Sequence, residues 1–299
     1  SLYRAWVGPD GRPADPAPEN VPYKPRHWLS VNPAGVEAGD FVMVVGFPGR
    51  TSRYRLASEV AEAITWTYPQ RIARREETLD IIAREAEGLP EVEIAYAATV
   101  SGINNGLKNA QGMLAGFASS ESVARKRALE AELAAWIAAD AERQARWGGA
   151  LAELEALLSE QRAHRERDQE LAALKMNQLL SAAGTAYRLA CEREKPDAER
   201  KMGFQDRDVS RISARIQRSA RSFDARVDMA LLQRTLVHYA ALPPAERLAA
   251  LDEWFGLDGE ADVSEMTSGT LHRMYIATEL TDAAARLALL DLDRATLEA

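Results

Sequence analysis

The sequence predicts a mainly α fold: an irregular helical bundle preceded by a few β-strands. Three observations carry that expectation. Eight prolines, from Pro9 to Pro48, gather before residue 56; β-branched runs vanish after it; and from there on Ala, Glu, Arg and Leu dominate. Those four residue types are good helix formers. The composition shift divides the chain into a strand-bearing segment, residues 1–56, and a helical domain, residues 57–299. With 299 residues, 46 % hydrophobic and 27 % charged, the chain has ordinary globular composition and enough length for a sizeable core.

Each element has a local reason. Leu2 to Val7 reads as a short strand, and Phe41 to Val45 as a second. The second run follows the turn Glu37-Ala38-Gly39-Asp40 and precedes Gly46-Phe47-Pro48-Gly49, so it is bounded as strands are. Its unbroken apolar character predicts burial on both faces. Two or three strands make no stable sheet alone, so these require partners. Helices are expected over Ser58–Tyr68, stopped by Pro69, then over Gln70–Glu87 and, after the break Gly88-Leu89-Pro90, over Glu91–Phe117. Ser119-Ser120-Glu121 looks like a cap. A long helical stretch then runs to Arg193, with Gly148-Gly149 as a possible break. Asp208–Leu242 follows, then a helix opened by Pro243-Pro244, where proline suits the first turn. Ser264–Leu280 and Thr281–Leu297 complete the series. No unit of constant length repeats, which argues against a solenoid. Ser159–Glu170 is almost wholly polar, and a helix polar all round is expected to project into solvent.

Charge and composition exclude several classes. The 37 Lys+Arg against 45 Asp+Glu give a net charge of −8, against a general nucleic-acid binder, which carries a basic excess. The single cysteine, Cys191, excludes an internal disulfide framework and a cysteine zinc cluster. Its purely apolar runs, such as Phe41 to Val45, are far below the roughly 20 residues that cross a bilayer. The chain opens Ser1-Leu2-Tyr3-Arg4, without Met and without a charged-then-apolar leader, so its first residue is read as a cut end.

Little catalytic chemistry is visible. His27, His164, His238 and His272 show no metal-ligand spacing, so neither a metal nor a cofactor is expected. His164 is expected to be solvated, and His238 and His272 to have structural roles. Gly46-Phe47-Pro48-Gly49-Arg50-Thr51 resembles a phosphate loop weakly but lacks the Gly-Lys-Ser/Thr ending. No Gly-x-Ser-x-Gly elbow occurs, and no catalytic residue is assigned. Arg207, Arg211, Arg215, Arg218, Arg221 and Arg226 follow helical spacing with Asp206, Asp208, Asp224 and Asp228 between them. That mixture predicts a solvated, salt-bridged face.

One cluster stands out. Ser101-Gly102-Ile103-Asn104-Asn105-Gly106-Leu107-Lys108-Asn109 lies inside an Ala-rich helix, with Gly102 and Gly106, then Gly112 and Gly116, four apart. Each glycine costs a helix about 1 kcal/mol relative to Ala; the usual return is close approach of another backbone or a ligand. Amide oxygens are neutral acceptors that can hold an ammonium group. On the pattern alone, tight helix packing with Asn bonded to nearby backbone is the stronger reading.

The run Asp40-Phe41-Val42-Met43-Val44-Val45-Gly46-Phe47-Pro48-Gly49-Arg50-Thr51-Ser52-Arg53-Tyr54 resembles the strand and turn leading out of the peptidase barrel in bacterial serine dipeptidyl-peptidases of the 7 and 11 type. Ser1-Leu2-Tyr3-Arg4 looks like the stretch after that family's catalytic Asp. Asn104-Asn105-Gly106-Leu107-Lys108-Asn109 and Ala124-Arg125-Lys126-Arg127 are similar to its helical region. The resemblance covers the chain end to end. It implies a chymotrypsin-like double β-barrel interrupted by a helical cap, with residues 1–56 a strip of the barrel and 57–299 the cap. It also implies an exported protein, periplasmic or secreted, that forms a homodimer and releases N-terminal dipeptides with a Ser-His-Asp triad. The resemblance places that triad in barrel segments outside this chain, so the chain alone is expected to be inactive. The partners implied are an oligopeptide N-terminus and the remaining barrel, with no nucleic acid and no membrane. One binding role carries over: an asparagine of the cap helps hold the substrate α-amino group, which points to Asn105, with Asn104 beside it, and reverses the order of the two readings of that cluster. The alternative is a non-catalytic helical protein-interaction module; a helical nucleic-acid binder is a weaker third.

Overall fold

The structure, a computed structural model, describes residues 4–43, 45–46, 49, 51–257 and 263–298. It is mainly α and separates into two compact units, Ser1–Ser52 and Arg53–Ala299.

In the first unit, β1 (Trp6–Val7) pairs antiparallel with β2 (Val21–Pro22), Trp6 opposite Pro22 and Val7 opposite Val21. The expected buried strand at Phe41–Val45 is not formed by its described residues: Phe41, Val42, Met43 and Val45 are exposed and carry no ladder. Val44 lies outside the described residues, as do Leu2 and Tyr3 of the first expected strand and Phe47, Pro48 and Arg50 of the weak phosphate-loop resemblance. A strand is stable only when its backbone groups pair, and β1–β2 is the one ladder among the described residues.

The second unit is helical. It begins with α1 (Ala57–Glu62), which passes through a π-helical turn, Ala63–Thr67, into α2 (Tyr68–Ala86). Pro69 was expected to stop the chain here. Instead Pro69 stands in the first turn of α2, directly after the π-helical turn, where its missing N–H costs little, and the helix continues. Gly88, at φ 72°, turns the chain into α3 (Pro90–Ala118). A link this short makes α2 and α3 antiparallel neighbours, and at 1.5 Å per residue α3 is about 43 Å long.

The stretch expected to run unbroken to Arg193 divides into α4 (Ser122–Ala138), α5 (Ala141–Trp147), α6 (Ala150–Ala163), α7 (Arg165–Leu174) and α8 (Gln178–Arg193). Asp140 and Asn177 make two of the breaks by capping: Asp140 accepts from the Arg143 amide at 2.8 Å and Asn177 from the Leu180 amide at 3.0 Å. Either cap satisfies a donor that a helix start leaves open. The polar stretch Ser159–Glu170 does not project into solvent. Glu170 is buried and paired with Arg74, Arg162 and Arg165 both engage Glu62 (2.9 and 3.1 Å), and His164 meets Glu246 at 3.0 Å. Ion pairs let a polar face pack.

Asp208–Leu242 also divides, into α9 (Asp206–Ala220) and α10 (Ala225–Ala240), because Asp224 accepts from the Arg226 and Val227 amides and caps α10. Then come α11 (Ala249–Phe255), α12 (Val263–Ala277), α13 (Ala283–Ala288) and α14 (Arg294–Glu298). Helix α10 is the axis of the unit. Leu232, Leu236 and Tyr239 pack with Leu174, Leu179, Phe255, Leu271 and Tyr275; one turn earlier, Val227 packs with Ile82, Ala86, Val92 and Tyr96 of the α2–α3 hairpin. A smaller cluster joins Ala186 and Leu189 of α8 to Ile212 and Ile216 of α9.

Between these clusters lies a buried polar junction. Asp228, 3 % exposed, accepts from the Tyr275 hydroxyl at 2.7 Å and from the Gln178 amide at 3.0 Å. Asn177 donates to the Tyr275 oxygen at 3.0 Å and to the Asp228 carbonyl at 3.2 Å. Burial, then the Asp228 charge, pushes the Tyr275 hydroxyl far above its ordinary range, and the same causes push Tyr96 up to about 12. Both phenols therefore stay protonated, and Tyr275 stays a donor. Tyr275→Phe removes that donor from a buried carboxylate and is expected to cost about 1–3 kcal/mol. Tyr187→Phe, at an exposed hydroxyl bonded to Glu298, is expected to leave stability unchanged. Urea denaturation of the two variants checks this; equal midpoints would remove the junction's special weight.

Candidate functional site on the α2–α3 hairpin

The α-helical period sorts the faces of α3. Val92, Tyr96, Leu107 and Ala110 are buried; Ser101, Gly102, Asn105, Lys108, Asn109, Gly112 and Gly116 are exposed. The two asparagines singled out by the sequence differ. Asn104 is half-buried and donates from Nδ2 to the Val100 carbonyl at 3.0 Å, the local backbone bond open to an asparagine in a helix. Asn105 is exposed, and its amide has no hydrogen-bond partner among the described residues. Both its oxygen and its nitrogen are free to meet a ligand.

The glycines also differ. A methyl group built at Gly102, Gly112 or Gly116 meets nothing within 4 Å, whereas one at Gly106 would lie 2.8 Å from Nε of Arg75. The close approach expected from the Gly102–Gly106 pair is therefore made only at Gly106, by a guanidinium from α2 and not by backbone. Arg75 is half-buried and has no ion-pair or hydrogen-bond partner among the described residues. The sequence offers no signal for it, because Arg75 and Gly106 are far apart in the chain. The structure thus brings together an unpartnered asparagine amide, a glycine-lined helix face open to approach, and an unpaired cation one residue along.

Among the concavities elsewhere on the helical unit, two border α2. One, of about 380 Å³, is walled by Glu59, Glu62, Trp66, Arg71 and Arg165, with the Arg165 guanidinium 4.5 Å above the Trp66 ring. The other, of about 770 Å³, lies between α2 and α10 and includes Glu77, Arg234 and His238. His238 Nε2 meets the Glu77 carboxylate at 3.0 Å and Arg234 donates to it at 3.2 Å. His238 thus takes the structural partner expected of it. Among the described residues no group of three or more His, Cys, Asp or Glu could hold a metal, and no helix is long and apolar enough to cross a membrane.

Burial pushes the Glu77 carboxyl up, but hydrogen bonds and charge from His238 and Arg234 outweigh it and hold the group below its ordinary 4.5. A lowered folded-state pKa contributes stability that is present above the unfolded value and fades as pH falls through the folded one. Glu77→Gln is expected to cost about 1 kcal/mol at neutral pH, with the difference closing below pH 4.5. Urea midpoints measured at neutral and acidic pH check it; a gap that does not change with pH would show that the ionised form contributes nothing.

Comparison with known proteins adds a family. The family described as Peptidase S46 matches residues 1–299. An Asp/Glu-specific dipeptidyl-peptidase of Shewanella putrefaciens is 39 % identical over 298 residues, 100 % of this chain and 40 % of that protein. Dipeptidyl-peptidase 7 of Porphyromonas gingivalis is 34 % identical over 155 residues, 52 % of this chain and 22 % of that protein. Among solved structures, DPP11 of Porphyromonas endodontalis in complex with the dipeptide Arg-Glu is similar at 22 % identity and a TM-score of 0.46, covering 96 % of this chain and 47 % of that one. The chain spans about 40 % of the length of the Shewanella relative.

Proposed function

Because this chain belongs to the peptidase S46 family, we propose that it forms the helical cap, with a strip of the barrel, of a serine-type dipeptidyl-peptidase that removes N-terminal dipeptides from oligopeptides. The observation that carries the reading is the open face of α3, where Asn105 presents an amide without a partner among the described residues beside glycines that leave room for approach. A dipeptidyl-peptidase must hold a free ammonium group at a fixed distance from the scissile bond. A neutral amide oxygen does this without burying a second full charge. A roof above that point blocks longer chains and turns an endopeptidase cleft into an exopeptidase one. Asn105 is the acceptor, and Asn104, whose Nδ2 is held by the Val100 carbonyl, keeps its oxygen available alongside.

In this reading the Ser-His-Asp triad belongs to other segments of the whole protein, and this chain alone has no hydrolytic activity. The whole protein is exported, periplasmic or secreted, and homodimeric. The name of the Shewanella relative supports a preference for peptides with Asp or Glu. A second reading, a non-catalytic interaction module, is favoured by one feature: Leu129, Leu133, Trp136, Leu154 and Leu157 are exposed on α4 and α6. Assaying N-terminal dipeptide release after rejoining the flanking sequence separates the two.

In the full-length protein, Asn105→Ala is expected to lower kcat/KM for free-amine dipeptidyl substrates about 10- to 100-fold, the value of one hydrogen bond to a charged group. An unchanged kcat/KM would refute the role of Asn105. Gly102→Ala is expected to move stability and activity in opposite directions. The added methyl meets nothing within 4 Å and raises helix stability by up to about 1 kcal/mol, while it crowds the face that a substrate approaches. A variant that is both more stable and fully active would show that nothing docks there.

A further inference from the structure

The arginines of α9 carry an inference that goes beyond the reading of α3 and stands on different residues. Of the interleaved aspartates that the sequence sets against the arginines, Asp208 and Asp224 each hold one, Arg211 and Arg226, while Asp206 and Asp228 turn to other partners. Asp206 pairs with Arg200 at 2.6 Å. Asp208 is buried and accepts from the Gly203 and Gln205 amides, with only Arg211 returning to it, at 3.2 Å. Asp224 caps α10 and pairs with Arg226, and Asp228 is the core junction. Arg207, Arg218 and Arg221 are left exposed, with no ion-pair or hydrogen-bond partner among the described residues. Arg215 reaches only the Thr185 hydroxyl, at 3.3 Å.

Geometry makes these cations one surface. By the helical period Arg207, Arg211, Arg215 and Arg218 fall on one side of α9, bordering the stripe of buried Ile212 and Ile216. Two shallow depressions flank Arg215: one of about 320 Å³ beside Phe204, Arg211 and Arg218, and one of about 200 Å³ beside Lys175 and Met176. Each combines guanidinium or ammonium groups with apolar walls.

We propose that this face of α9 binds an acidic peptide segment in extended conformation, with carboxylates on alternate residues meeting successive arginines. The spacings agree. Arginines four residues apart recur about every 6 Å along a helix, and alternate side chains of an extended chain recur about every 6.6 Å. Guanidinium groups match carboxylates in fork geometry, and the apolar walls accept the intervening side chains. In a chain of net charge −8, such a stripe gives acidic peptides a local attraction that the molecule as a whole denies them.

The test uses the full-length protein and an N-acetylated peptide of alternating Glu and Ala with a C-terminal fluorophore, followed by anisotropy. The blocked amine makes the probe independent of Asn105, so Asn105→Ala is expected to leave its binding unchanged whether or not the α3 reading holds. The triple variant R207Q/R215Q/R218Q is expected to weaken binding about tenfold or more at low salt, where each lost contact counts most. R207K/R215K/R218K is expected to retain most of it, because it keeps the charge. The proposal is overturned if the glutamine variant binds as well as the wild type, if an alternating Gln and Ala peptide binds equally, or if Asn105→Ala weakens the acidic probe. It is also overturned if a single-stranded oligonucleotide or phosphatidylglycerol vesicles bind the stripe more tightly than the peptide. Should the triple variant fail to fold, the comparison of the Glu and Gln probes on the wild-type protein still decides.

Discussion

The helical unit depends on one buried carboxylate. Asp228 sits at the crossing of three helices, and its two oxygens are taken by the start of α8 and the hydroxyl of Tyr275 on α12. A buried charge without such donors is costly, so the helices can meet only in arrangements that bring both donors to it. Nonpolar packing alone tolerates sliding; a carboxylate with fixed donors does not. Asn177 tightens the junction further, capping α8 with its oxygen while its nitrogen binds Tyr275 and the Asp228 carbonyl. One asparagine thus begins a helix and fixes where that helix docks.

From this junction the geometry passes outward to the α2–α3 hairpin. Val227, one residue before Asp228, packs against Ile82, Ala86, Val92 and Tyr96. That contact fixes which stripe of α3 faces inward. The helical period then dictates that Ser101, Asn105, Lys108 and Gly112 face outward. The exposure of Asn105 is therefore a consequence of core packing near the base of the hairpin, and the candidate site inherits its orientation from residues that touch no ligand.

Much of the helical unit is legible in the sequence because its punctuation is local. Gly88 ends α2, Pro90 opens α3, and the loss of β-branched runs marks where helices begin. The errors have a common source in context. Pro69 reads as a stop, but it falls in the first turn of α2, after a π-helical turn, where proline is tolerated. Asp140, Asn177 and Asp224 look like ordinary members of long polar helices and prove to be caps that divide them. The polar run around Glu170 reads as a solvent tip because its cations, such as Arg74, come from almost a hundred residues earlier. The strand at Phe41–Val45 reads as buried because its composition asks for a partner, and the described residues supply none. At the candidate site, Asn104 and Asn105 are legible from composition, whereas Arg75 over Gly106 and Glu77 with His238 join positions that only the fold brings together.

The arginine helix shows why charge spacing alone misleads. Along α9 and into α10, acids and bases alternate at intervals that suit helical ion pairs, so the sequence suggests a neutral face. That argument treats every charge as available to its neighbour. Aspartate near a helix start has a competing use, because its short carboxylate reaches backbone amides that need an acceptor. Asp208 and Asp224 take that use, and Asp228 is drawn into the core. Arginine has no comparable claim on backbone at such positions, and its long side chain stays in water. When aspartates cluster at helix starts and arginines recur along the helix body, most of the acids are drawn to backbone amides or other partners and several of the bases remain. The surface charge is then more positive than the composition of the segment implies, and here that local excess stands on a chain whose total is acidic.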